Sequence, residues 1–187
     1  MKTADGVYFL HDDYASFWRR LLIDTIDALA VGMACLVVGI ILFTTFPFNT
    51  TTLNWALAIF AVVAFWYLVI LKRSKAGTVG YRMGGVRIVG MDGQTASLST
   101  LTSRMLFVPL GPLIWFLDFV WLSGDKHRQT LHDKLARTYV VKATAVPLGT
   151  GEILVRYHEI LFFNFAFQEI EVPTTTQADA LPIIFGI

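Results

Sequence analysis

The chain has 187 residues, 55% of them hydrophobic and only 16% charged, with a mean hydropathy of +0.60, whereas an average soluble domain carries roughly 25% charged residues. A surplus of that kind calls for an apolar solvent in addition to a core. The formal net charge of +1 creates no global basic field and argues against nucleic acid as a partner, and the single Cys35 can close no intrachain disulfide, so it reads as a small apolar filler.

The apolar residues come in blocks. Residues 1–20 form a polar N-terminal segment containing Asp5, Asp12 and Asp13. Leu21 to Phe43 follows, uncharged except for Asp24 and Asp27 near its start. As a helix it would be about 34 Å long, against a hydrocarbon core of ~30 Å. Its length and the polar stretch before it distinguish it from a cleaved signal peptide. Leu53 to Leu71 is a second uncharged block, with Trp55 near one end and Trp66 and Tyr67 near the other, where aromatic residues suit the membrane interfaces. Between the two lies an uncharged turn with Pro47, Asn49 and Asn54. Lys2, Arg19 and Arg20 precede the first block, and Lys72, Arg73 and Lys75 follow the second, so the positive-inside rule places both ends of the hairpin in the cytoplasm.

Lys72 to Ser103 is polar and Gly-rich. Within it, Val86 to Val89 followed by Met91-Asp92-Gly93 predicts a strand entering a tight turn, because Asp-Gly tolerates positive φ. Leu101 to Leu122 is apolar but contains Arg104, Pro109, Gly111, Pro112 and Asp118. A single crossing would carry the basic block Lys126 to Lys142 to the outside, and Pro109 to Pro112 breaks a helix in its middle, so a re-entrant or interfacial helical hairpin is favoured over one tilted span. From residue 143 a Pro- and Gly-containing linker leads to Phe163, Phe165, Phe167, Ile170 and Val172, whose near-alternation is a strand signal; Pro173 to Asp179 is a polar linker and Leu181 to Ile187 is too short to span. The expected architecture is therefore an all-α integral membrane protein with two transmembrane helices, a third Pro-broken membrane-associated segment, a small cytoplasmic β element and a β-rich C-terminal tail. A membrane domain at 14–142 is followed by a tail at 143–187 of unknown role.

Arg20, Asp24 and Asp27 are four and three residues apart and share one helix face. Asp27 lies about 9 Å along the helix from Leu21, deep enough to need a partner. Arg20 is placed to reach Asp24, with Arg104 or the C-terminal basic block approaching from elsewhere. The stripe, with Arg104, Asp118, His132 and Asp133 as further candidates, reads either as an ion or proton site or, preferably, as an ion pair that orients the helix. Ala28, Gly32, Cys35 and Gly39 form an adjoining small-residue face suited to close helix contact. The segment Gly77-Thr78-Val79-Gly80-Tyr81-Arg82 has the glycines of a phosphate cradle but not the Gly-Lys-Ser/Thr ending, and reads as a turn that starts the β element, with Arg82 and Arg87 available to lipid headgroups. His127, His132 and Asp133 match no metal-ligand spacing. His127 reads as a solvated member of a basic interface and Asp133 as a cap or ion-pair partner. No nucleophile and base can be singled out, so neither catalysis, a cofactor nor a metal is expected.

Three ordered stretches resemble the RDD family of small membrane proteins, named for one arginine and two aspartates. Phe17-Trp18-Arg19-Arg20 running into Ile26-Asp27 is similar to its first-helix signature. Lys75 to Val89, with Gly77, Thr78, Gly80, Arg82, Gly85 and Arg87, then Asp92-Gly93, is similar to its central cytoplasmic motif. Leu131-His132-Asp133 through Val141 is similar to its closing motif. The resemblance makes Arg20 the arginine and Asp27 and Asp133 the aspartates. This chain departs from the pattern at Tyr81, where lysine is usual, at Ile23, where a small residue is common, and at Arg137, where glycine is frequent. The resemblance implies a bacterial-type inner-membrane protein, multi-pass, with a cytoplasmic N-terminus. Its activity is expected to be that of a non-enzymatic membrane component or assembly partner. The alternative is a monovalent cation/proton antiporter that, having only two clear spans, would work as a homo-oligomer.

Overall fold

In the computed structural model, which describes residues 5–106, 118, 121, 122, 125, 127–160 and 163–172, the first apolar block is a continuous helix, α1 (Phe17–Thr45). It ends at Phe46, whose extended backbone is what the following Pro47 requires. Asn49 then caps α2 (Thr50–Phe65), accepting from the Thr52 amide at 2.8 Å, while the Thr52 hydroxyl donates to the Pro47 carbonyl at 2.8 Å. A π-helical turn, Trp66–Leu71, extends α2. Both helices are long and apolar enough to cross a membrane, and their most apolar stretches are only 6% and 11% buried by the rest of the protein. Leu29, Met33, Leu36 and Ile40 of α1 are all more than half exposed. Core helices of a soluble domain would hide such residues; here their solvent is left to be something other than protein.

The buried residues of α1 are Arg20, Ile23 and Asp27, all at one end. That end is covered by a layer of short elements. Thr78 caps α3 (Val79–Gly84), which ends at Gly85 in the left-handed region at φ 59°. The Gly77–Arg82 segment is therefore a capped helix start, not merely the turn expected before a strand. Strand β2 (Val86–Gly90) enters the predicted Asp92-Gly93 turn, with Gly93 at φ 75°. Next comes α4 (Leu98–Met105), capped by Ser97. After it come α5 (Leu131–Ala136) and β3 (Thr138–Lys142), which pairs antiparallel with β2 from Val86↔Lys142 to Gly90↔Thr138. The choice between a re-entrant hairpin and a single span for Leu101–Leu122 falls on residues outside those described, which there are Leu101–Leu106, Asp118, Trp121 and Leu122. Residues 173–187 lie outside them too.

The all-α expectation is corrected by a second sheet, of order β1-β4-β5, built from Asp5–Tyr8, Gly149–Ile160 and Phe163–Glu171. β5 matches the alternation read in the tail. β1 and the start of β4 read in sequence as polar segment and linker, because the pairing Asp5↔Glu152 joins chain regions with no local signal of each other. The boundary drawn at 142 is crossed by one core cluster containing Tyr8, Tyr14, Val89, Tyr139, Val141 and Ile170. A second cluster, including Ile23, Val69, Tyr81, Ile88, Leu101 and Val140, lies between the helices and the β2-β3 sheet. Val140 and Val141 alternate between them, so β3 is buried on both faces.

Arg137, which ends α5, sits at φ 54° with its side chain exposed. A left-handed non-glycine residue costs roughly 1–2 kcal/mol, of which the greater freedom of an unfolded glycine cancels about 0.4–1 kcal/mol. Arg137→Gly is accordingly expected to raise stability by about 0.5–1 kcal/mol, seen as a higher unfolding temperature in detergent.

Candidate functional site

Asp133 is completely buried at the first turn of α5. Locally it is half of a capping box: its amide donates to the Thr130 hydroxyl at 3.3 Å and its carboxylate accepts from the Thr130 amide at 3.1 Å. The same carboxylate forms ion pairs with Arg20 of α1 and Arg104 of α4. Arg20 is further held by donating to the Ala15 carbonyl at 3.2 Å and the Arg128 carbonyl at 2.8 Å, and Arg104 by donating to the Thr138 hydroxyl at 2.5 Å. Burial alone would push the Asp133 carboxyl up, but Arg104 and then Arg20 outweigh it and hold the group well below the usual carboxylate range.

From Arg104 the network continues. Its Nη2 lies 3.2 Å from His132 Nε2, and His132 Nδ1 lies 2.6 Å from Asp118 Oδ2. A guanidinium has no acceptor, so Nε2 accepts and Nδ1 donates to Asp118. Asp118 also accepts from the Leu131 amide at 2.9 Å, tying the third apolar segment to the start of α5.

The stripe Arg20-Asp24-Asp27 is not paired within itself as the spacing suggested. Helical side chains lean toward the N-terminus, and Arg20 leans past the start of α1 to Asp133, away from Asp24. Asp27 is instead satisfied by polar donors: the Thr78 hydroxyl at 2.7 Å, the Gly80 amide at 2.8 Å and the Tyr67 hydroxyl at 3.0 Å. The Gly-rich segment does cradle an anion at a helix start, and that anion is the protein's own carboxylate. Gly80 approaches α1 so closely that an added Cβ would stand 2.4 Å from the Ile23 carbonyl oxygen. The two headgroup candidates are both exposed, and Arg87 also donates to the Ala145 carbonyl at 2.9 Å. Gly77, at φ 64°, makes the turn into α3. His127 is half-buried, its ring between Tyr14 and Tyr139 at 5.5 and 5.9 Å, so it is more than a solvated member of a basic interface, and His127 and His132 serve different clusters.

Sequence reasoning missed Tyr67, Thr138 and the Lys134 cluster. Lys134 is buried, 2.6 Å from Asp125 and 2.5 Å from Glu169 of β5, and Glu169 also meets His158 at 2.9 Å. An isolated lysine in a basic stretch gave no signal, because its acidic partner lies on a strand outside the motifs. Burial pushes the Glu169 carboxyl up, yet Lys134 and His158 together hold it below its ordinary 4.5. With the folded value lowered, this contribution to docking the tail sheet is complete above pH 4.5 and is lost as pH falls through the lowered value. A variant with Trp121 as sole tryptophan should report it: its ring packs on His158 and Phe167, and its fluorescence should change on acidification in wild-type background but far less in Glu169→Gln.

A pair of membrane-length apolar helices, closed at one end by a buried arginine–aspartate network and a small sheet, defines the class. Within it, the chain belongs to the RDD family, whose model matches residues 14–137. It is similar to the uncharacterized protein YckC of Bacillus subtilis (strain 168), with 26% identity over 137 residues, covering 70% of this chain and 85% of that protein. It is also similar to the uncharacterized protein YxaI of the same organism, with 26% identity over 147 residues, 68% of this chain and 96% of that one. No solved structure matches. The three departures from the family pattern each have a place. Tyr81 receives the Lys72 ammonium over its ring at 4.3 Å, Ile23 fills the space above Gly84, and Arg137 occupies the left-handed helix end.

Proposed function

We propose that the chain is a non-enzymatic component of a bacterial-type cytoplasmic membrane that assembles with other membrane proteins or with further copies of itself, its charged end and N-terminus in the cytoplasm. The observation that carries this reading is the use made of Asp133: one carboxylate joins α1, α4 and α5, which is how a helical hairpin in lipid can be locked to a cytoplasmic layer. Lys72, Arg73 and Lys75 at the end of the second helix agree with that orientation. The antiport alternative rests on Asp27 as a proton carrier, and its three donors give that carboxylate a structural task instead.

Asp27→Asn and Asp27→Ala separate the readings. An amide oxygen still accepts from Gly80 and Tyr67, so Asn should cost about 1 kcal/mol, whereas Ala leaves buried donors unpaired at about 1–3 kcal/mol for each group lost. Purified protein in proteoliposomes is expected to show no proton flux driven by sodium, potassium or lithium, and only Asp27→Ala to unfold readily. Cation-dependent flux in wild type that vanishes in a well-folded Asp27→Asn would establish antiport.

A further inference from the structure

A cavity of about 400 Å³ lies between the charged ends of α1 and α2. Two of its walls are stripes at four-residue spacing, Asp24, Ala28 and Gly32 on α1 and Ala64, Leu68 and Lys72 on α2 and its π-helical extension, and Leu101 and Met105 of α4 form a third. Both stripes run from a charge at the cytoplasmic end to small or apolar residues about 12 Å deeper along the helix. Gly32 faces open space, with nothing within 4 Å of the position a Cβ would take, and Ala28 and Gly32 are exposed, so the slot is open along the apolar surface.

The charges at the mouth fall into two groups. Asp27, Asp118, Arg104 and His132 are engaged by the partners described above. Lys72 and Asp24 are not: among the described residues neither has an oppositely charged group within ion-pair distance, and Lys72 touches only the face of Tyr81. Arg104, whose ion pair is with Asp133, attracts Asp24 only across a longer distance, so among the described residues the mouth offers one cation and one anion with no ion pair of their own over an apolar slot. A purely anionic head would leave Asp24 unpaired and a purely cationic one Lys72, each at a desolvation cost.

We propose that this cavity binds a zwitterionic amphiphile, an acyl-chain lipid whose head carries a phosphate and a primary ammonium, with the phosphate on Lys72, the ammonium on Asp24 and a chain between Ala28, Gly32 and Ala64. The proposal rests on the membrane reading; recovery of the chain in the soluble fraction would remove that reading, while the experiment below can fail with the protein firmly in the membrane.

The test is native mass spectrometry of delipidated, detergent-purified protein given an equimolar mixture of phosphatidylethanolamine, phosphatidylcholine and phosphatidylglycerol with identical chains. Phosphatidylethanolamine should be retained about tenfold over the other two, the effect of one charge-assisted hydrogen bond. The quaternary ammonium of phosphatidylcholine cannot donate to Asp24, and phosphatidylglycerol has no ammonium. Asp24→Asn should abolish the preference, Lys72→Gln should lower retention of all three, and Gly32→Leu should exclude all three by filling the slot. Ala64→Leu serves the same purpose if Gly32→Leu is poorly folded. Equal retention of the three lipids by wild type, undiminished retention in both slot-filling variants, or equally tight binding of phosphoethanolamine without a chain would overturn it.

Discussion

Replacing Asp133 by asparagine is expected to destabilise the chain by about 3–5 kcal/mol, because two buried guanidiniums lose the charge between them while their burial remains. Arg20 and Arg104 have almost no exposed side-chain surface, at 8% and 10%, so water cannot replace the carboxylate without opening the layer between α1 and α5. Thermal unfolding in detergent should fall by roughly 10 °C, and the loss should be larger than that caused by replacing all three residues together with Met, Met and Leu. Burying three charges is itself expensive, and removing all of them removes that expense. A single substitution that proved milder than the triple would mean that the carboxylate is not what neutralises these arginines. Such a result would undermine the view that Asp133 locks the layer of short elements to the helices.

Gly80→Ala is expected to be nearly as damaging, by about 2–4 kcal/mol, as overpacking is added to a broken hydrogen bond. The new Cβ would lie 2.4 Å from the Ile23 carbonyl oxygen and 2.8 Å from Asp27 Oδ1. Neither can yield: one is helix backbone and the other is held by Thr78 and Tyr67. The expected result is release of α3 from α1, read as faster protease cleavage between Gly77 and Gly85. Two other glycines calibrate it. Gly85→Ala meets no atom within 4 Å but needs φ 59°, costing about 1 kcal/mol, and Gly32→Ala meets neither obstacle and, inside a helix, should raise stability by about 0.5–1 kcal/mol. A ranking in which Gly32→Ala equalled Gly80→Ala would show that helix propensity, not the contact with α1, governs these positions.

Much of the fold was legible where the signal is local. The two apolar helices followed from their blocks, since solvation by lipid is decided within a window of about 20 residues. The Asp92-Gly93 turn and β5 followed from turn chemistry and alternation. β1 and β4 were not legible. Gly149, Thr150 and Gly151 look like linker, and they become strand because Tyr8, Val7 and Gly6 of β1 pair with them, while β5 takes over from Glu152 onward. At the site, Arg20, Asp27, Arg104, Asp118, His132 and Asp133 were all identified as candidates, and the structure gathers them at one end of the helical hairpin. Asp133 is the cap and ion-pair partner expected of it, whereas Arg20 and Asp27 have partners that the spacing does not indicate. Spacing along α1 put Arg20 beside Asp24, whereas the guanidinium turns to a carboxylate 113 positions away.

By itself, then, the sequence determined which residues are too apolar for water, which charges lie at their edges and which family they compose, because hydropathy and motif order are properties of the linear chain. Tertiary structure alone decided that Asp133 neutralises Arg20 and Arg104, that Asp27 accepts from Thr78 and Gly80 at the start of α3, and that Lys72 and Asp24 are left facing a cavity. A buried charge takes the partner that packing brings within reach, and sequence distance has no part in that selection.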